Sequence, residues 1–450
     1  MANINRRELL GQATGMAGAA LVTTAFPHLA RAQSVAKVAP ITMVINQSPW
    51  FAGFSRLVEA YTTETGNRIE LDVNPYPGAL EKVRNSLRAP TGQYDLLAID
   101  INWMVEMLAG GFLMPVADLD PSFKLDPATS TFGDTIFWND ELRTFDRAKG
   151  KLMGVPINGN VDVLYYRKDL YEKHGLKVPE TWDQLLENVT KLTDKGMYGF
   201  VHWDDRGSML YDFVNYMFSF GGDIFAKASA GDFSIVLNSP TNLKALQFYL
   251  KLGEAGGYPN PGSMSQATMI QLLVSGKTAH AITVVGAWAQ FDDPEKSAVV
   301  GKMDATLIPR AEGGQHASRA GHWIGVTARN VPREKQLAAL EFLKWISTYE
   351  HQLAYTRFGA VPVRTDLADS DLFKEPKFRF LKAQVENSKV ARVFAVVPEA
   401  AQMTTIISLR LNECVLGKAK PAEALNLATA EVYALIEKAG HKTGRLPDLQ

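Results

Sequence analysis

Hydrophobic and polar positions alternate along this chain in two rhythms. "ITMVIN", residues 41–46, is apolar at nearly every position, as a strand covered on both faces requires. The next stretch, "FAGFSRLVEAYTTETG", instead sets Phe51, Phe54, Leu57, Val58 and Tyr61 at helical spacing, and Gly66 closes it. "IELDVNPY", "GALEKVRNSLRA" and "YDLLAID" continue as strand, helix and strand. Farther on, "TWDQLLENVTKLT" opens with Thr181 and carries Gln184 three residues later, the pattern of a capping box. "MYGFVHW" reads as a strand, and residues 209–220 as a largely apolar helix stopped by Gly221 and Gly222. "AHAITVV" and "HWIGVTA" read as strands, and "EKQLAALEFLKWIST" as a helix with Leu337, Leu340, Leu343 and Ile346 inward. Strands alternating with helices over short links predict α/β layers and a parallel sheet. No fixed-period repeat and no low-complexity linker interrupts them.

A chain of 450 residues exceeds one ordinary core and predicts two domains or more. Hydrophobic content of 46% and charged content of 21% are those of an average globular protein. The net charge of −1 supplies no broad basic field for nucleic acid. The single cysteine, Cys414, cannot close an internal disulfide or build a cysteine metal site, and the eight histidines form no HExxH pair. We expect no cofactor and no metal. The first residues differ from the rest: Arg6 and Arg7 precede a weakly apolar segment that ends in Ala30-Arg31-Ala32, before Gln33. This order resembles a twin-arginine export signal over residues 1–32. Its removal takes away a net +2 and leaves about −3.

Five stretches in order carry a family resemblance: "YDLLAIDINWMVEMLAGGFLMPVADL", "GKLMGVPINGNVDVLYYRKDLYEKHGLKVPETWDQLL", "FSFGGDIF", "SGKTAHAITVVGAWA" and "ALEFLKWIS…FGAVPVR". Together they span nearly all of residues 40–440, and the chain resembles the sugar-binding family of bacterial extracellular solute-binding proteins, the receptors of ATP-driven importers. The resemblance implies the two-lobe periplasmic-binding-protein fold, type II-like. Each lobe has a mixed, mainly parallel sheet flanked by helices, and several crossovers form a hinge. The implied lobes are residues 33–155 plus 325–358 and residues 156–324 plus 359–450. It further implies a periplasmic monomer that binds a carbohydrate or polyol, partners a membrane permease and catalyses no reaction. Alternative ligands are an anionic sugar derivative or a polyamine. A carbohydrate-active enzyme is the remaining reading, with Asp204 and Asp205 as its obvious acidic pair. Adjacent strand residues face opposite ways, which weakens that pair.

A sugar offers flat C–H faces to aromatic rings and hydroxyls that each need a partner, because a buried unpaired polar group costs about 1–3 kcal/mol. Its site therefore belongs on loops at strand ends. Asp100 and Trp103 follow the strand "YDLLAID", while Gln47 and Trp50 follow the first strand. Trp203 ends "FVHW", and His322 and Trp323 open "HWIGVTA". Gly221 permits close backbone approach, and Asp223 beside it can accept a hydroxyl. The resemblance adds Trp288 as the stacking indole, Asn160 (with Asn158 beside it) as a polar contact, Tyr211 as a ligand-facing ring and Arg364 as a fork that reaches the cleft.

Overall fold

The computed structural model describes residues 37–450; the expected export signal lies outside the described residues. Along the chain, β1 (Ile41–Asn46) is followed by α1 (Phe51–Thr65), β2 (Ile69–Asn74), α2 (Tyr76–Arg88), β3 (Leu96–Asp100) and α3 (Ile101–Ala109). β1 pairs in parallel with β2 and β3, as the doubly apolar pattern predicts. α1 buries Phe54, Leu57, Val58 and Tyr61 and ends on Gly66 at φ 72°, the left-handed turn glycine makes at no steric cost. Each of those side chains contributes roughly 1.5–3 kcal/mol through burial.

The chain then adds β4 (Val155–Asn158), crosses, and builds a second core around β5 (Asp162–Arg167). α4 (Trp182–Leu192) begins with the predicted capping box of Thr181 and Gln184. α5 (Leu210–Ser219) follows, and then β6 (His280–Val284) and β7 (Met303–Thr306) flank β5. β8 (Trp323–Val326) returns to the first sheet, between β3 and β4. It runs antiparallel to both. α6 (Arg333–Ile346), α7 (Phe380–Lys389), α8 (Ala400–Val415) and α9 (Pro421–Lys438) complete the helices that matter here.

Three expectations change. The second sheet is antiparallel at both of its pairings, β6 with β5 and β7 with β5, rather than mainly parallel. "MYGFVHW" makes one bridge, between Tyr198 and Thr278, and no ladder, so it runs beside β6 as irregular extended chain. Leu337 is an exposed residue of α6, because a strict three-residue step drifts off a 3.6-residue helix. Phe342 and Trp345 take inward positions instead.

One hydrophobic core gathers β1–β4, β8, α1–α3 and α6. Two more, around β5 and the later helices, make up the other lobe. Three segments pass side by side between them. Gly159 N–H donates to the Val361 carbonyl at 3.1 Å, and Gly321 N–H donates to the Asn160 carbonyl at 3.0 Å. A Cβ on Gly159 would sit 2.1 Å from the Pro362 carbonyl oxygen, so only glycine lets these strands lie this close.

Candidate functional site

The C-terminal ends of β1 and β3 stop at the same level, where α1, α2 and α3 begin. Facing them are the chain after Val201 and the start of α8. A cavity of about 490 Å³ lies between, lined by residues of both lobes. That volume is within the usual range for small-molecule sites.

Its first wall is aromatic. Tyr76 and Trp103 have ring centroids 4.5 Å apart, and Trp323 meets Trp103 edge-on at 5.3 Å. Trp50 stands behind Trp323 at 5.8 Å with no accessible surface. The facing wall stacks Trp203 on Tyr211 at 5.4 Å, with the rings inclined by 27°. Trp103 and Trp323 are 2% and 3% exposed, whereas Tyr76, Trp203 and Tyr211 are only half-buried and so leave ring surface to a guest. The Tyr76 and Tyr211 hydroxyls meet across the cavity at 3.4 Å.

Polar groups are set among these rings. Asp100 is both the N-cap of α3 and a cavity residue. Its Oδ1 accepts from the Asn102 backbone N–H at 2.8 Å, and its Oδ2 has no hydrogen-bond partner among the described residues. Burial pushes its carboxyl up to about 6, against the pull of the Asn102 N–H and the Arg319 charge. Asn160 accepts from Gly286 N–H at 3.0 Å through Oδ1, which leaves its Nδ2 for the cavity. Arg319 lies over the Tyr211 ring at 5.3 Å and over Trp203 at 5.9 Å. It donates to Asp162 through Nε at 2.9 Å and through Nη2 at 2.8 Å. Trp203 Nε1 donates to Asp205 and to Ser208, both at 2.8 Å, which fixes the indole plane. Asn46 Oδ1, Ser48 Oγ, Trp50 Nε1 and Asn102 Oδ1 are buried on this lining without a hydrogen-bond partner among the described residues. Orphaned polar atoms in a folded interior point to a missing partner.

Of the expected site residues, the structure brings Gln47, Trp50, Asp100, Trp103, Asn160, Trp203, Tyr211 and Trp323 to this lining. The others sit elsewhere. Trp288 is 4% exposed in the third core, where its Nε1 donates to the Lys377 carbonyl at 3.0 Å. Phe380 and Arg379 cover its ring. Gly221, at φ 85°, turns the chain out of α5. Asp223 pairs with Arg392. His322 is fully buried and stacks on Phe132 at 4.2 Å. Its Nε2 lies 2.9 Å from Thr135 Oγ1, and burial holds its ring down to about 3. The Arg364 fork is taken by Asp366, with Asp126 beside it. Asn158 is fully buried in the crossover and off the lining.

Sequence reasoning missed Tyr76, Asn102, Ser208, Gln266, Thr404 and Arg319. Tyr76 ends the segment "IELDVNPY", so the strand-end rule could have found it. Arg319 stands three residues ahead of "HWIGVTA" and gave no such signal. Asp204 and Asp205 part company. Asp204 is buried and accepts from the Gly262 and Met264 N–H groups, whereas Asp205 lines the cavity. Among the described residues no cluster of three or more His, Cys, Asp or Glu could hold a metal, and no helix is long and apolar enough to cross a membrane.

The chain is 22% identical over 397 residues to a probable amino-acid ABC transporter periplasmic-binding protein of Sinorhizobium fredii, covering 87% of this chain and 88% of that one. It is 26% identical to the mannitol-binding protein of Pseudomonas aeruginosa over 63% of each. An ABC transporter solute-binding protein of Agrobacterium radiobacter K84, solved in complex with ribitol, superposes with a TM-score of 0.75. It is 25% identical, and the match covers 89% of this chain and 99% of that one. The model of the family described as bacterial extracellular solute-binding protein matches residues 46–353, more than half of the sequence, and the chain therefore belongs to that family.

Proposed function

We infer that this chain is the substrate-binding receptor of an ABC importer. A sugar or sugar-like polyol enters the cavity between the lobes, the lobes close on it, and the closed form delivers it to a membrane permease. The observation that carries this reading is the lining itself. Half-buried aromatic faces come from both lobes, and Asp100 Oδ2 and Asn160 Nδ2 stand on the lining without a hydrogen-bond partner among the described residues. Rings stack on the C–H faces of a polyol while its hydroxyls satisfy the orphaned atoms. A guest that touches both lobes favours the closed form by its differential contacts. The ligands of the mannitol-binding relative and of the ribitol complex support the same substrate class.

We propose that it binds without turnover; the division of the acidic pair supports this, since Asp204 is held by the Gly262 and Met264 N–H groups off the lining while Asp205 faces the cavity. We place it in the periplasm as a monomer, delivered there by the leader of residues 1–32. Titration calorimetry with mannitol, ribitol, glucose and maltose tests the reading. At least one should bind, raise the melting temperature and shorten the maximum dimension in solution scattering. No binding by any of them would remove it.

A further inference from the structure

The stacking wall of the cavity carries one guanidinium, and that guanidinium is already spoken for. Arg319 is 4% exposed, and its Nε and Nη2 lie on the two oxygens of Asp162, which is 2% exposed. Asn215 reinforces the pair, since its Nδ2 donates to Asp162 Oδ2 at 2.9 Å and its Oδ1 accepts from the Arg319 backbone N–H at 2.8 Å. Among the described residues Nη1 alone of the guanidinium nitrogens has no hydrogen-bond partner. Among the described residues no other lysine or arginine lines the cavity, whereas Asp100 and Asp205 both do. The remaining Asp100 oxygen, Oδ2, has no cation on it. Three carboxylates thus stand against one guanidinium.

Two helix starts argue the other way. α1 and α2 open on the cavity without a side-chain cap, and each carries roughly half a positive charge at its N-terminus. Together they offset about one carboxylate. The α3 start offsets about half of Asp100, its N-cap, and Glu399 stands at the N-cap of α8, so a smaller net negative charge remains. The wall stays negative. A phosphate or carboxylate brought here would meet like charge in a desolvated site, while a hydroxyl or an ammonium would find free acceptors.

We propose that this cavity sorts polyhydroxyl ligands by charge, accepting neutral and amino-substituted sugars or polyols and rejecting phosphorylated and carboxylated ones, with Asp162 setting the rule by neutralising Arg319. The inference rests on the receptor reading above and narrows it, since the anionic sugar derivative is removed from the candidate ligands.

Three matched sets test it by calorimetry at neutral pH: glucitol, glucamine and gluconate; mannitol, mannamine and mannonate; glucose, glucosamine and glucose 6-phosphate. In whichever set binds, the neutral and amino members should bind within ~10-fold of each other, and the anion at least ~100-fold more weakly. An anion within ~10-fold of its neutral counterpart overturns the charge rule and leaves the receptor reading standing. Binding by no member removes both. Asp162→Asn should free the guanidinium and narrow the neutral-to-anion ratio by ~10-fold or more. If circular dichroism shows that this variant is unfolded, Asp205→Asn serves instead and should shift the ratio in the same direction by a smaller factor. A ratio unchanged in the folded variant overturns the assignment.

Discussion

Two tryptophans of the same lobe make an instructive pair. Trp203 and Trp288 each follow an extended segment that ends near the crossover. Each donates its indole N–H to a protein acceptor, and each lies beneath a guanidinium, Arg319 at 5.9 Å and Arg379 at 4.3 Å. Their surroundings differ in what covers the rest of the ring. Phe380 of α7 closes over Trp288, whose N–H reaches the nearby Lys377 carbonyl. Trp203 has Tyr211 stacked beside it and stays half-buried on the cavity. An indole after a strand is thus equally suited to a core or to a binding wall. The element that returns to cover it, more than 80 residues later for Trp288, decides which it becomes.

The contrast can be broken by mutation. Trp288→Ala should have the largest effect, a loss of about 3–5 kcal/mol of stability in urea unfolding, as for other buried aromatic truncations. Ligand affinity of the folded fraction should not change; a weakened affinity would return Trp288 to the site. Trp203→Ala should do the reverse, costing about 1–3 kcal/mol of binding free energy by calorimetry and less stability than Trp288→Ala.

The buried Asp100 sharpens the comparison through pH. Its folded-state value, about 6, lies above the ordinary carboxyl value, so the folded protein holds a proton that the unfolded chain releases between about pH 4 and 6. Its contribution to stability therefore falls as pH rises through that window. Asp100→Asn should flatten the fall and raise the melting temperature at pH 7, a shift that differential scanning calorimetry reads directly. His280 and His322 act in the opposite sense. Burial lowers them to about 4 and about 3, so stability is lost as acid forces protons onto them below their ordinary value of 6.5. The smallest effect expected is for Tyr211→Phe, which removes the hydroxyl contact across the cavity and should cost no more than about 1 kcal/mol. Scattering from the unliganded variant should shift toward a wider form.

Much of the fold was legible where its signals are local. The apolar run of β1, the stripe of α1 and the box at Thr181 are each decided within a dozen residues. Strand-end logic likewise reached Asp100, Trp103 and Trp203. Partnering at a distance was not legible. Arg319 meets a carboxylate 157 positions away and lies on the lining, whereas the Arg364 fork is held by Asp366 away from it. The second sheet reads as parallel from its apolar runs, because burial on both faces gives the same pattern whichever way the neighbours run.

Gly159 has a bearing on affinity although it lies off the cavity lining. With the Pro362 carbonyl oxygen pressed against the place where a methyl would go, that single hydrogen sets how close the connecting strands rest. An alanine there would wedge them apart and bias the unliganded population toward one opening angle. Apparent dissociation constants scale inversely with the competent fraction, so this remote position would tune them without altering any ligand contact. In a receptor of this design, the pivot regulates how tightly the jaws hold.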